Sequence, residues 1–403
     1  MPAHHSRGGR RNPNTGDTRE ALRSIFNLNF NVVAVINLLV MTAYYLTFVT
    51  STSYARETYG VSLSTAGFTA GIMVLGCLAG RFLTGNLLSI FGSRPILALG
   101  LVVYAGSIAA FFLVDSLPLL FAQRLLAGTG VGIIGTATGT IIAYVIPQKY
   151  HGLGISLFSL STALALALGP FLGIVISRWY DYAALNVTCL GAGLICLAIS
   201  FGLRTLPDTR HRHRPFFELN SYIDPRVVRF SLIALLTCLG YGCVQAFMAS
   251  LAAERGLTNA ASVFFLLYGL AAIGTRPLTG RLFDLRGENV IFYPCLLLTA
   301  LSLLLLAQAQ SGWMLLLSGI LLGVGFGNFQ SAGQAVSLSL VSRSRFAQAT
   351  TTFFIFFDLG IGLGPYLFGF LIPSAGYDGM YQALSACVVG AAVLYHFLHG
   401  RRA

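Results

Sequence analysis

The sequence predicts an all-α polytopic membrane protein with twelve transmembrane helices in two six-helix repeats. Three observations lead there. The 403-residue chain is 56% hydrophobic and 9% charged, with a mean hydropathy of +0.76. A soluble domain carries roughly 25% charged residues, so this composition cannot clothe a water-facing surface. The apolar residues come in blocks of about 20, the length a helix needs to cross a hydrocarbon core of about 30 Å. The second half of the chain also repeats the first at a constant offset.

Taken from the N-terminus, residues 1–27 form an Arg-, Gly- and Asn-rich tail with no cleavage site after the next apolar run, so no signal peptide is predicted. Six apolar blocks follow at 28–50, 66–89, 95–114, 117–141, 156–176 and 183–203. The first carries Asn37, Tyr44 and Tyr45, the second Arg81, the fourth Arg124, and the fifth Gly169-Pro170 and Gly173. The hydrophilic stretch 204–226, with Arg210, Arg212 and Arg214, divides the chain near its middle. Six more blocks span 227–249, 260–283, 290–309, 312–337, 348–372 and 377–397. Tyr241 and Gln245 lie one turn apart in the seventh, Arg276 in the eighth, Gln330 and Gln334 in the tenth, and Asp358 with Gly364-Pro365 in the eleventh. Residues 398–403 close the chain as a second tail. The runs are continuously apolar, whereas barrel strands alternate, so helices and not a β-barrel are predicted.

Charge sets the expected orientation. Of the 25 basic residues, nineteen fall on the side of the two tails, three on the other side (Arg56, Arg178, Arg255) and three inside helices (Arg81, Arg124, Arg276). That bias is a positive-inside signal, which places both termini in the cytoplasm and the protein in the cell membrane. It also accounts for the +12 net charge without nucleic acid. The seven cysteines lie in apolar stretches without a C-x-x-C pair and no histidine lies deep in a run, so neither metal nor cofactor is expected. Asp358 is the one deep acid, so an intramembrane enzyme with paired acids or a Ser-His site is not predicted.

The repeat is specific. RFLTGNLLSIFG at 81–92 aligns with RPLTGRLFDLRG at 276–287, pairing Arg81, Gly85 and Gly92 with Arg276, Gly280 and Gly287. At the same offset of 195, Gly128, Gly130 and Gly132 meet Gly323, Gly325 and Gly327, and Gly169-Pro170 meets Gly364-Pro365. Two such halves place a substrate site between them near the bilayer midplane.

These residues carry a family resemblance over nearly the whole chain. The stretch from Gly85 through Gly92 to Arg94 is similar to the G-x-L-a-D-r-x-G-r-k loop motif of the major facilitator superfamily, with Ser89 at the acidic position. The second half keeps the acid, as Gly280, Asp284 and Gly287. Arg124 and Gly128 match the family's R-x-x-x-G, and Gly169, Pro170 and Gly173 match the fifth-helix motif of its twelve-helix drug:proton antiporters. The resemblance implies a monomeric, alternating-access exporter whose partners are a small-molecule substrate, protons and the lipid bilayer. It gives Gly169, Pro170, Gly173, Gly364 and Pro365 a hinge or packing role, and Gly85, Gly92, Arg94, Gly280 and Gly287 a loop-motif role. In the family the first, fourth, seventh and tenth helices line the path. Asn37, Tyr44, Tyr45, Tyr241, Gln245, Gln330 and Gln334 are therefore cavity candidates. Importing an anionic solute, exporting a carboxylate-rich metallophore and sensing without transport are the alternatives.

An arginine at a helix centre costs roughly 2.5–3.5 kcal/mol, so it persists where it has a partner or a wet cavity. At 1.5 Å per residue, Arg81 and Asp358 lie about 13 Å and about 15 Å from the same membrane side. The family fold sets their helices face to face across the boundary between halves. They are expected to pair, either permanently or as a switch broken by protonation of Asp358. Arg276 has Ala163 at the corresponding position of the fifth helix, and Arg124 has helix carbonyls, or Glu57 or Asp115 at the outer edge, within prospect. With Asp284, these residues form the proton-coupling and gating set, and the arginine surplus favours an anionic solute.

Overall fold

The computed structural model describes residues 23–204, 223–342 and 345–401. Among them are twelve helices long and apolar enough to cross a membrane. They are α1 (Leu28–Tyr59), α2 (Leu63–Phe91), α3 (Ser93–Ala110), α4 (Leu117–Val145), α5 (His151–Trp179), α6 (Tyr182–Ser200), α7 (Pro225–Glu254), α8 (Thr258–Arg286), α9 (Asn289–Ala307), α10 (Gly312–Ser339), α11 (Phe346–Gly369) and α12 (Ile372–Tyr395). Tail residues 1–22, linker residues 205–222, Arg343 and Arg402 lie outside the described residues, as do the side chains of Ser89 and Asp284.

Several helices run past the blocks visible in the sequence. α1 continues through the polar stretch Ser51–Tyr59 to a left-handed Gly60, and α7 continues to Glu254. The starts follow from capping: Asn27, Ser62 and Asp181 each accept a hydrogen bond from a first-turn amide, at Phe30, Thr65 and Ala184. Asp224 caps α7 by accepting from the Arg226 amide and also meets the Arg345 guanidinium at 3.2 Å. Twelve crossings return the chain to the side on which α1 begins, here called the terminal face. Leu113, Leu270, Leu285 and Leu297 project outward, as lipid requires. Trp179 and Trp313 are exposed at helix ends on the opposite face, where amphipathic rings settle at a membrane interface.

The first six helices pack mainly on one another, as do the last six. The repeat holds at atomic detail. A Cβ added to Gly128, Gly130 or Gly132 would lie 1.9 Å from the Met73 carbonyl oxygen, 2.8 Å from the Tyr104 amide nitrogen and 2.1 Å from the Cys77 carbonyl oxygen. Their mates Gly323, Gly325 and Gly327 meet Tyr268, Thr299 and Ala272, each 195 positions on. Such small-residue seams give helices in lipid their backbone approach. Gly92 and Gly287 end α2 and α8 in one conformation, φ 83°, ψ 169° and φ 82°, ψ 175°. Gly128→Ala should destabilise the first half by about 1–3 kcal/mol through overpacking. A lowered melting temperature of the purified protein is the readout; an unchanged one contradicts the seam.

Between the halves α2 crosses α11, α5 crosses α8 and α1 meets α7. The closest approach lies toward the opposite face. A Cβ on Gly71 would stand 2.0 Å from the Gly362 carbonyl oxygen and one on Gly67 2.7 Å from that of Pro365. Ser64 Oγ donates to the Tyr366 carbonyl at 2.7 Å. Ser53 and Ser250 hydroxyls are 3.2 Å apart, and the Arg178 guanidinium donates to Asn259 Oδ1. The opposite face is thus sealed by direct contacts between the halves.

Candidate functional site

Below that seal the halves meet through charge. Arg81 projects from α2 and Asp358 from α11, with Nη1 and Oδ2 2.7 Å apart. The Asp358 side chain is 10% exposed and that of Arg81 36%, so the pair has a dry end and a wet end. Oδ2 is buried and receives no correctly directed hydrogen bond, so the contact rests on charge more than on geometry. The guanidinium also lies 5.8 Å from the centre of the Phe354 ring. Tyr44, Tyr45 and Cys77 are within electrostatic range of both partners, and Cys238 of Asp358. A cavity of about 220 Å³ opens beside the pair, lined by Arg81, Phe82, Thr136, Thr350, Thr351 and Phe354 among others. It joins α2 and α4 of the first half to α11 of the second.

Toward the seal an aromatic cluster fills the space between halves. Tyr44 packs edge-on against Tyr45 with centroids 5.2 Å apart. On the other side Tyr241 stacks on Phe326 at 4.1 Å and 15°, and on Tyr268 at 5.6 Å. Tyr45 lies within electrostatic range of Tyr241 and Tyr268, so rings from α1, α7 and α8 converge. Aromatic walls of this kind hold organic solutes.

The remaining sequence candidates sort by position. Asn37 is buried on α1 and its amide donates to Ser161 Oγ and Thr162 Oγ1 on α5, both at 2.8 Å. Asn37→Ala strips two hydroxyls of their donor and should cost about 1–3 kcal/mol, read as a lowered melting temperature. Gln245 is buried and donates to the Tyr241 hydroxyl at 3.0 Å. Gln330 and Gln334 are half-buried on α10. Gly169 and Gly173 seat α5 on α1, a Cβ on Gly169 falling 2.6 Å from that of Tyr45. Gly364 seats α11 on α7, 2.4 Å from the Leu239 carbonyl oxygen by the same measure. Pro170 and Pro365 are both accommodated inside continuous helices. Arg94 donates to the Phe201 carbonyl at 2.9 Å, which ties α3 to the end of α6. Gly280 has open space around it.

Arg124 is 2% exposed, and its Nε and Nη1 find no hydrogen-bond partner. The acids in prospect for it do not pair with it: Glu57 accepts from the Tyr182 hydroxyl at 3.2 Å, and no described carboxylate makes an ion pair with Arg124. Tyr268, Phe326, Phe354 and the Ser161–Thr162 pair escaped the sequence reading. Of these, only Ser161–Thr162 stood out as a polar step inside an apolar block.

The arrangement of helices and halves has counterparts among known proteins. The Major Facilitator Superfamily model matches residues 33–307 and, overlapping them, 230–403. The uncharacterized MFS-type transporter YhhS of Shigella flexneri and that of Escherichia coli (strain K12) are each 25% identical over 349 residues, which is 85% of this chain and 85% of theirs. The crystal structure of the nucleoside transporter NupG superposes with a TM-score of 0.77 at 13% identity, covering 93% of this chain and 99% of that one. A bacterial homolog of the human lysosomal transporter Spinster, inward-facing and unoccupied, gives 0.71 at 16% identity, covering 92% and 95%.

Proposed function

The chain belongs to the Major Facilitator Superfamily, and from that premise we propose that it exports a small organic solute in exchange for protons, with Arg81 and Asp358 as the coupling pair. The observation that carries this reading is the 2.7 Å Arg81–Asp358 contact, the one ion pair among the described residues that joins the two halves. Deprotonated Asp358 attracts Arg81 and holds α11 against α2. A proton on Asp358 removes the charge and leaves the guanidinium to water in the adjacent cavity. The halves 28–203 and 227–397 rock about the region between them, exposing the aromatic cluster first to one side and then to the other. Such a pair is a bistable element biased by one proton.

The terminal face is the cytoplasmic one in this reading, on the strength of nineteen basic residues on that side. The sealed opposite face and the cavity beside Arg81 then make the conformation inward-facing. The Gly-Pro step of α5 favours export, and one copy of the chain suffices.

Comparison of intracellular and extracellular metabolites between a deletion strain and an overproducer tests direction. Export predicts a compound that accumulates inside the deletion strain and outside the overproducer. Accumulation inside the overproducer overturns it. Proteoliposomes holding that compound should discharge an imposed pH gradient as it crosses; a gradient that persists during transport removes the proton from the cycle.

A further inference from the structure

The two halves share a frame but not its charges. Across α2 and α11, a Cβ on Gly362 would lie 3.3 Å from Val74 Cβ. Across α5 and α8, a Cβ on Gly269 would lie 2.5 Å from Ala167 Cβ. These are the same crossing by the repeat, since 167 and 269 correspond to 362 and 74. Seven residues beyond Val74 stands Arg81, and four before Gly362 stands Asp358; the same steps from Gly269 and Ala167 lead to Arg276 and Ala163. The second crossing therefore has the arginine and lacks the acid.

Arg276 is left without compensation. Its Nε is buried with no hydrogen-bond partner, and it forms no ion pair among the described residues. A guanidinium at this depth calls for a counter-charge or a wet cavity. It lines a cavity of about 290 Å³ with Thr279, Phe283, Asn328 and Ser331. The Asn328 amide is already engaged, donating to Thr275 Oγ1 and the Val324 carbonyl and accepting from Thr279 Oγ1. Arg276 and the Ser331 hydroxyl remain to greet a ligand, and the guanidinium, with its paired N–H groups, matches a carboxylate. Arg276 is also within electrostatic range of Tyr268, which links the cavity to the aromatic cluster between the halves.

We propose that Arg276 receives a carboxylate of the transported solute in this cavity, beside α8, α9 and α10, and so gains from the ligand the counter-charge that Asp358 gives Arg81 at the α2–α11 crossing. This rests on the transport reading and names its substrate class: an organic acid with an apolar or aromatic body.

Benzoate and its neutral isostere benzamide serve as probes on the full chain in phosphatidylcholine nanodiscs, with thermal unfolding and apparent Kd as readouts. Wild type should be stabilised by benzoate and not by benzamide. Arg276→Gln should weaken the benzoate response at least about tenfold. Ala163→Asp should abolish it by supplying an acid from within, and should itself raise the melting temperature, so the test survives even if Arg276→Gln misfolds. Equal responses to the two probes, or an undiminished benzoate response in Ala163→Asp, overturn the proposal. A benzoate response that disappears when half the lipid is phosphatidylglycerol assigns the cavity to an anionic headgroup and also overturns it. The pH response of the Arg81–Asp358 pair, followed in the same nanodiscs by spin labels on α2 and α11, separates the two readings. Its loss with benzoate binding intact fails the coupling scheme alone, and the reverse result fails only the carboxylate site.

Discussion

Asp358→Asn is expected to uncouple the protein from protons while leaving it folded. The amide keeps the shape of the carboxylate but carries no charge to lose, so the attraction on Arg81 is absent at every pH. Removing one charge of a fully buried pair costs about 3–5 kcal/mol. Arg81 is 36% exposed, and screening brings that to about 1–2 kcal/mol, a shift of roughly fivefold to thirtyfold in how often the halves are bridged. The sign follows from the scheme. In wild type the bridged state gains population as pH rises and Asp358 ionises, and loses it as pH falls; in the variant the population is flat. Spin labels at the terminal-face ends of α2 and α11 read this directly between mildly acidic and mildly alkaline buffer. A variant that still follows pH takes Asp358 out of the coupling route.

Gly71→Val is expected to have the second large effect, of a different kind. A Cβ at 71 would stand 2.0 Å from the Gly362 carbonyl oxygen, and that oxygen belongs to backbone, which cannot swing aside. α2 and α11 must separate by more than an ångström, or the sealed state must be abandoned. The seal is built from several contacts beyond this one, including Ser64 to Tyr366 and Gly67 against Pro365, and all would open together. Solute flux should fall by about fivefold or more, in line with overpacking of about 1–3 kcal/mol at this contact. Labels on the opposite-face ends of the same helices should report a gap that wild type lacks. Normal flux with an unbroken seal would show that the crossing tolerates bulk and that so close an approach of the two backbones is not needed.

Much of this was legible in the sequence because membranes impose simple rules. Twelve apolar blocks and the repeat offset follow from helix length and duplication; the partnership of Arg81 with Asp358 follows from the cost of a lone charge in lipid together with the family resemblance, which sets their helices face to face. Helix ends were less legible. Ser51–Tyr59 is polar enough to read as a loop, yet α1 continues through it, because beyond the hydrocarbon a helix needs only satisfied backbone and not apolar side chains. The aromatic cluster was half visible. Tyr44, Tyr45 and Tyr241 could be named, but Tyr268 and Phe326 could not, since a helix that is apolar all round does not declare which ring faces lipid and which faces its neighbour. The unpartnered Nε and Nη1 of Arg124 were not legible for a related reason: Glu57 is expected near the same membrane edge, but its carboxylate is engaged by Tyr182.

The crossing at Gly71 has a mechanical consequence. It lies eight residues from the start of α2 and twenty from its end, or about 12 Å and about 30 Å along the axis. A helix that turns about such a point is a lever with unequal arms, in a ratio of about 2.5 to 1 by the same rise per residue. A tilt that parts the seal by a few ångströms swings the far end through more than twice that distance. Smooth glycine backbones at the fulcrum have no side chains to unlock, so the resistance to the swing sits on the long arm, about 15 Å out, where Arg81 grips Asp358. In the proposed coupling scheme, a single charge placed there acts with mechanical advantage over the whole helix.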